Sequence, residues 1–210
     1  AQVLPFSTGV IGEPLPMDRL LAGLPGAFDT LADSSQAWQR AGEGILTTDT
    51  RAKGATVTVD IGDQQVTING ITKGSGMIKP NMATMLGFVV TDAAIEQSLL
   101  ATLLRETVDR SFNCITVDSD TSTNDACMLA ATGTGARIES DEHITVFRNA
   151  LQRVMTELAQ AIIRDGEGAT KFVTLQVNEA STRQEALDVA FTVAHSPLVK
   201  TALYASDANW

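Results

Sequence analysis

The sequence predicts a mixed α/β fold in which helices cover layers of β-sheet. Two segments, 55–61 and 65–71, alternate polar and apolar residues on either side of Gly62-Asp63, which is the pattern of a β-hairpin. Further along the chain, segments with apolar residues at helical spacing alternate with short apolar runs. Helices that alternate with strands and a hairpin are typical of layered sheets covered by helices.

After the hairpin, residues 86–90 form a short apolar run suited to a buried strand. Thr91 or Asp92 is predicted to cap the helix that follows. This helix carries apolar side chains at helical spacing, at Ile95, Leu99, Leu103 and Val108.

The second half of the chain predicts further strands at 114–117 and 172–177, and amphipathic helices at 145–164 and 182–195. The last helix opens with a capping box, Thr182-x-x-Glu185. The glycine- and proline-containing stretches 23–26 and 74–80 are interpreted as short loops, and no linker or repeat is evident, which favours one domain over residues 1–210.

Composition limits the classes of partner and compartment. The chain has 210 residues, of which 44% are hydrophobic, and a net charge of −10 that is spread along its length. Such a charge argues against nucleic acid as a partner. No apolar run is long enough for a membrane span, and no export signal is recognised. Cys114 and Cys127 are too few for a disulfide framework, so reduced thiols and a cytoplasmic location are expected.

The stretch from Lys73 to Gly87, KGSGMIKPNMATMLG, leads from a glycine-rich loop into an apolar strand and delivers Thr84 at its start. A threonine hydroxyl needs a nearby base, and neither of the two histidines lies in a triad-like setting. Cleavage of the Ala83-Thr84 bond would give Thr84 a free α-amine, whose pKa near 8 suits it to act as that base. Thr84 is therefore a candidate nucleophile, although the local pattern alone favours an ordinary β-branched strand residue.

The run from Lys73 to Ala93 resembles the self-cleavage region of the ornithine acetyltransferase family of bifunctional arginine-biosynthesis proteins. Further blocks occur in the same order as in that family: LPFSTGVIG from Leu4, ILTTDT from Ile45, CITVDSDTSTND from Cys114, DGEGATKF from Asp165 and SPLVKT from Ser196. The resemblance covers the middle of a family member about twice as long. The family's remaining substrate contacts, an Asn and a Ser or Thr near its C-terminus, have no counterpart before Trp210.

This resemblance implies an αββα sandwich that is similar to, but distinct from, the N-terminal-nucleophile hydrolases. It implies self-cleavage into 1–83 and 84–210, and a heterotetramer of the two cleaved chains. The expected reaction is glutamate N-acetyltransferase activity, in which N2-acetylornithine donates an acetyl group to glutamate through acyl-Thr84. The sequence leaves open whether acetyl-CoA is also a donor.

The resemblance also implies roles for individual residues. Thr8 and Gly9 match the pair that stabilises the oxyanion, and a hydroxyl and a backbone N–H suit that role. Substrate contacts are implied for Thr47, Lys73, Thr84 and Glu167. Lysine suits the α-carboxylate that N2-acetylornithine and glutamate share, and Glu167 suits a cationic amine. Without the family, these residues would be interpreted as turns and solvated side chains, and adjacent Thr48 makes the Thr47 assignment ambiguous.

No cofactor or metal is expected. The hydroxyl- and carboxylate-rich segment 116–125 lacks the central Gly and terminal Glu of a calcium-binding loop, and no phosphate-binding or dinucleotide fingerprint is complete. Two alternatives to acetyl transfer stay open at this stage. One is an N-terminal-nucleophile amidase or aminopeptidase, in which water replaces glutamate, and the other is a non-catalytic fragment.

Overall fold

The computed structural model describes residues 4–8, 10, 12–79 and 85–209. In this part of the chain, a four-stranded sheet has the strand order β1-β2-β3-β4. β1, β2 and β3 are antiparallel neighbours, and β4 runs parallel to β3. The strands are Lys53–Ile61 (β1), Gln64–Lys73 (β2), Leu86–Thr91 (β3) and Ala126–Ala131 (β4). The predicted mixed α/β class is confirmed.

Helices precede and follow the strands. Two come before β1, one lies between β3 and β4, and three follow β4. They are Met17–Asp29 (α1), Ser35–Gly44 (α2), Gln97–Asp109 (α3), Asp141–Arg164 (α4), Arg183–Ala194 (α5) and Pro197–Ala205 (α6), with a short 3-10 helix at Phe112–Cys114. Among the described residues, no helix is both long and apolar enough to cross a membrane.

The predicted hairpin is confirmed as β1 and β2. Its register pairs Val57 with Ile68, and its turn contains Gly62 at a φ of 63°, a conformation that glycine adopts without a steric penalty. The alternating apolar residues of both strands face α4, whereas Thr56 and Thr58 lie on the exposed face of the hairpin. The hydrophobic alternation thus fixes which face of the sheet is buried.

The core lies between this sheet and α4. Val154 and Leu158 of α4 are fully buried, as are Ile68 of β2 and Val89 of β3. Burial of each such side chain contributes about 1.5 to 3 kcal/mol. α4 begins where the Ser140 side chain accepts a hydrogen bond from the His143 N–H, and Arg164 in its last turn complements the helix dipole. The end of α4 therefore brings residues 165–167 to a defined place beside the sheet.

The predicted cap of α3 is wrong. The helix begins at Gln97, and the carboxylate of Glu96 caps it by accepting from the N–H groups of Ser98 and Leu99. Thr91 and Asp92 instead bind β2: the Thr91 hydroxyl donates to Thr67 O, and Asp92 Oδ1 accepts from Thr67 N. Hydrogen bonds to the neighbouring strand occupy both side chains.

The strands predicted at 114–117 and 172–177 do not form in the described structure. Residue 114 ends the 3-10 helix, and Val117 makes a backbone bond to Ile78 O at 2.8 Å. Residues 172–177 run without a paired strand among the described residues. A short apolar segment alone does not produce a strand, because the backbone N–H and C=O groups also need a neighbouring strand.

The loop predicted at 23–26 is also wrong, because these residues lie inside α1. Apolar residues at helical spacing, including Leu20, Leu24 and Phe28, outweigh the local preference of Gly23 and Pro25 for a turn. The predicted cap of α5 is confirmed at Thr182, whose side chain accepts from Glu185 N. The return bond differs from a capping box by one residue, because Glu185 Oε2 accepts from Ser181 N.

Candidate active site

A cavity of about 440 Å³ brings together several residues that the sequence analysis selected. Its walls come from four separate segments of the chain. The residues that line the cavity are Thr8, Val10, Thr47, Thr48, Lys73, Gly76, Met77 and Glu167. The cavity therefore contains hydroxyls, a cationic side chain and an acidic side chain, supplied by residues up to 159 positions apart (167 − 8).

Thr8 belongs to a segment that is held against β3 and the loop before β4. The Phe6 ring packs edge-on against Phe88, with ring centroids 5.2 Å apart. Ser7 O accepts a hydrogen bond of 2.7 Å from the Asn124 side chain. These two contacts hold Phe6 and Ser7 and so bring Thr8, the next residue, to the cavity. Gly9, its predicted partner, lies outside the described residues.

Thr47 and Thr48 follow α2, and both line the cavity. The Thr47 N–H donates to Asp49 Oδ2 at 3.3 Å, a turn in which the carboxylate fixes the backbone two residues before it. The sequence left open whether Thr47 or Thr48 makes the implied substrate contact. Both line the cavity, so either hydroxyl is close enough to make it.

Lys73 is the last residue of β2, paired with Leu86 of β3, and only 2% of its surface is exposed. Burial lowers the pKa of its ammonium group from the ordinary value. The negative charges of Asp49 and Asp125 oppose this effect and raise that pKa, while the charge of Lys53 adds to the lowering. A buried lysine in this setting is a strong candidate for binding an anionic group of a ligand.

Glu167 enters the cavity from the loop after α4. Its backbone N–H donates to Ser75 O at 2.8 Å, which joins this loop to the segment after β2. Its carboxylate lies against the backbone of Gly76, since a Cβ added at Gly76 would lie 2.7 Å from Oε1. The lack of a side chain at Gly76 is what leaves room for the carboxylate.

Asp125 is an acidic residue that the sequence analysis did not select. Its Oδ1 accepts from the Met85 N–H at 2.5 Å, and its Oδ2 is buried without a hydrogen-bond partner among the described residues. Burial raises the pKa of this carboxyl to about 6, although the Met85 N–H and the charge of Lys73 both act to lower it. Met85 directly follows Thr84 in the sequence, so Asp125 is bonded to the peptide next to the candidate nucleophile.

Sequence reasoning also missed three charged residues beside the cavity. Asp49, Lys53 and Asp165 form a buried cluster in which Lys53 Nζ lies 2.6 Å from a carboxylate oxygen of each aspartate. A signal was present, because Lys53 is in phase with the inward-facing Ala55 and Val57 of β1, where a lysine requires a buried partner. Among the described residues, this cluster included, no group of three or more His, Cys, Asp or Glu side chains could hold a metal ion.

The structure thus brings together four of the predicted residues: Thr8, Thr47, Lys73 and Glu167. Thr84, Ala83 and Gly9 lie outside the described residues. The arrangement can bind a small molecule that carries both an anionic and a cationic group, since Lys73 and Glu167 line the same cavity.

The model of the ArgJ family matches residues 1–210, which is the whole chain. The chain belongs to the ArgJ family. Two curated relatives, each named arginine biosynthesis bifunctional protein ArgJ, come from Methylococcus capsulatus, at 55% identity, and Pseudomonas fluorescens, at 51% identity. Both alignments cover 100% of this chain and 52% of the relative. The chain therefore spans about half the length of these ArgJ proteins.

The chain also resembles a crystal structure of arginine biosynthesis bifunctional protein ArgJ from Bacillus halodurans. The two align with a TM-score of 0.54 and 44% sequence identity, over 59% of each chain. These findings confirm the resemblance to bifunctional arginine-biosynthesis proteins that the sequence motifs indicated.

Proposed function

We propose that this chain is the central part of a self-cleaving glutamate N-acetyltransferase of arginine biosynthesis. The observation that carries the proposal is the convergence of Thr8, Thr47, Lys73 and Glu167 on one cavity. Membership of the ArgJ family and the names of its relatives also support a role in arginine biosynthesis. The substrates are N2-acetylornithine, which donates the acetyl group, and glutamate, which accepts it.

Maturation consists of cleavage between Ala83 and Thr84, giving chains 1–83 and 84–210. The new α-amine of Thr84 takes the proton from the Thr84 hydroxyl, because an α-amine has a pKa close to neutral pH. The two cleaved chains stay together, and two copies of each assemble into a heterotetramer in the cytoplasm.

The chemical step is a two-stage exchange. The Thr84 oxygen attacks the acetyl carbonyl, and Thr8 and Gly9 stabilise the oxyanion of the tetrahedral intermediate by about 3 to 4 kcal/mol per donor. The C–N bond to ornithine then breaks, and the leaving amine takes the proton held by the α-amine. In the second stage, the neutral amine of glutamate attacks acyl-Thr84 and gives a proton to the α-amine of Thr84. The ester C–O bond then breaks, and the threonine oxygen takes that proton back as it leaves.

In this proposal, residues that line the cavity bind the substrate. Lys73 binds the α-carboxylate that both amino acids carry, and Glu167 binds the cationic amine of ornithine. Thr47 provides a further polar contact. A buried lysine suits this role, because a charge-assisted hydrogen bond is stronger where water is excluded.

The first experiment is intact-mass spectrometry of the purified chain beside Thr84→Ala and Thr84→Ser. We expect fragments 1–83 and 84–210 from the wild type and from Thr84→Ser, which keeps a hydroxyl, but an uncut Thr84→Ala chain. An uncut wild type would contradict the proposed self-cleavage.

The second experiment follows labelled acetyl groups from N2-acetylornithine with and without glutamate. Acetylglutamate that forms only with the wild type and Thr84→Ser supports the proposal. Release of free acetate at the same rate without glutamate would instead indicate an amidase, in which water is the acceptor.

A further inference from the structure

Three segments that carry candidate substrate contacts meet at the buried cluster of Asp49, Lys53 and Asp165. The segments come from the loop after α2, the end of β2 and the loop after α4. Side-chain exposure is 1% for Lys53, 0% for Asp49 and 4% for Asp165. Ions buried to this extent stay charged only when they are paired and hydrogen-bonded, so the cluster holds a fixed geometry.

Asp49 is the member of the cluster whose carboxylate binds the peptide next to Lys73. Its Oδ1 accepts both from Lys53 Nζ and from the N–H of Gly74, each at 2.6 Å. The Gly74 N–H belongs to the peptide that follows Lys73 directly. Asp49 Oδ2 also accepts from Thr47 N. One carboxylate therefore fixes the backbone at both Thr47 and Lys73.

Asp165 holds the other side of the cluster. Its carboxylate accepts from Lys53 Nζ at 2.6 Å and from the Thr50 N–H at 3.0 Å. Its backbone oxygen accepts from the Ser75 hydroxyl at 2.7 Å, two residues before Glu167. Asp165 thus fixes the Glu167 loop, but its carboxylate makes no hydrogen bond to residues 73–74 that the structure describes.

The charges in the cluster do not cancel. Two carboxylates and one buried ammonium group leave a net charge of −1 (−2 + 1). On the Asp165 side, the 58% exposed side chain of Arg51 adds a cation 3.9 Å from Asp165 Oδ1. The charged groups that act on Lys73 are Asp49, Lys53 and Asp125, and Glu167 lines the same cavity. Among these, Asp49 makes the largest opposing contribution to the cost of burying the Lys73 cation.

We propose that Asp49 is a positioning residue that holds Lys73 in place and keeps it cationic, so that the cavity can bind a carboxylate. The inference rests on the proposed function only for the identity of that carboxylate. It predicts that Asp49 and Asp165, which are equally paired with Lys53, differ in their effect on Lys73. A purely structural ion cluster predicts no such difference.

The test is a carbon-13 NMR titration of the lysine side chains in the whole chain without substrate. The chain has only five lysines, and Lys73→Met assigns the signal of interest. In Asp49→Asn, which keeps the shape of the side chain, we expect Lys73 to titrate lower by about one pH unit or more, because a nearby opposite charge is lost. In Asp165→Asn, the matched control, we expect a much smaller change.

A double variant guards against the chance that a single substitution unfolds the chain. Lys53→Met with Asp165→Asn removes one charge of each sign and leaves Asp49 as the counter-ion of Lys73. We expect Lys73 in this variant to titrate higher than in the wild type, since a like charge has been removed. The dispersion of the same spectra reports whether each variant is folded.

Binding of N2-acetylornithine is then measured by calorimetry across the same pH range. Affinity for N2-acetylornithine should fall as pH rises through the Lys73 titration. In Asp49→Asn this fall should therefore occur at lower pH. At a pH where Lys73 is neutral only in the variant, the variant should bind about tenfold more weakly than the wild type. Equal Lys73 titrations in Asp49→Asn and the wild type would overturn the inference. A shifted titration in a chain that binds no N2-acetylornithine would support the inference and count against the proposed function.

Discussion

The Glu167 carboxylate lies against the backbone of Gly76, where the absence of a side chain leaves room for it. An added Cβ at Gly76 would lie 2.7 Å from both the carboxyl carbon and Oε1 of Glu167, which is too close for either to stay in place. The Gly76 backbone does not have a positive φ, so alanine is conformationally allowed there. A substitution at Gly76 should therefore move the Glu167 carboxylate without straining the fold.

We expect Gly76→Ala to weaken binding of N2-acetylornithine by about tenfold, which corresponds to about 1.4 kcal/mol. The displaced carboxylate would lose its charge-assisted contact with the ligand amine. The free energy of unfolding should stay within about 0.5 kcal/mol of the wild type, since the end of a flexible side chain can move at little cost. Calorimetry and urea unfolding measure the two quantities.

Gly44→Ala is the matched control, because no atom lies within 4 Å of a Cβ at that position. It should leave the affinity unchanged and raise the free energy of unfolding by about 0.4 to 1 kcal/mol, because alanine restricts the unfolded chain more than glycine does. Unaltered affinity in Gly76→Ala would mean that the position of Glu167 does not matter for binding.

At the residue scale, the sequence was better at selecting candidate site residues than at predicting which side chains bind one another. Motif resemblance selected Lys73 and Glu167, and the structure places both on one cavity. It did not reveal the bond between Lys53 and Asp165, because the two residues are 112 positions apart and neither has a motif that names its partner. Long-range ion pairs depend on the packing of β1 against α4, which local patterns do not encode.

β2 and α4 pack closely at Gly70. A Cβ there would lie 2.7 Å from Leu158 Cδ1 and 3.2 Å from both Val154 Cγ1 and Val89 Cγ2. These neighbours are fully buried, so they have little space into which they could shift. The glycine thus sets the distance between the helix and the sheet, and with it the position of the Glu167 loop at the end of α4.

We expect Gly70→Ala to lower the free energy of unfolding by about 1 to 3 kcal/mol, because it overpacks the interface between β2 and α4. Gly54→Ala provides the control on the adjacent strand, where the nearest atom to an added Cβ is Gly70 O at an ordinary 3.5 Å. That change should remain within about 0.5 kcal/mol of the wild type. Urea unfolding followed by circular dichroism compares them, and equal losses would argue against close packing at Gly70.

The elements that the sequence predicted well are those whose pattern is decided locally. β1 and β2 follow from strict alternation around Gly62, and α4 follows from long helical periodicity. β4 was missed, since its alanine-rich segment Ala126–Ala131 does not alternate and becomes a strand beside β3. The segment 172–177 shows the converse, because its residues predicted a strand and the described structure contains none to pair with it.

Apolar surface is unevenly distributed over the whole molecule. α4 contributes many fully buried side chains, among them Leu151 and Leu158, whereas α1 has no buried residue. Leu24 and Phe28 of α1 are 61% and 74% exposed. The hydrophobic content of 44% therefore overstates the core that the chain itself forms. The curated relatives are about twice as long, so composition alone does not measure how much core this half contains.

This distribution predicts that two large-to-small substitutions should differ sharply in their effect on stability. Leu151→Ala removes a fully buried side chain from the core and should cost about 2 to 5 kcal/mol of unfolding free energy. Phe28→Ser changes an exposed side chain and should cost less than about 0.5 kcal/mol, although phenylalanine is the larger residue. Urea unfolding of both variants at several protein concentrations measures the difference. A loss in Phe28→Ser comparable to that in Leu151→Ala would show that α1 is packed against other parts of the protein in solution, and a dependence on concentration would identify them as a second copy of the chain.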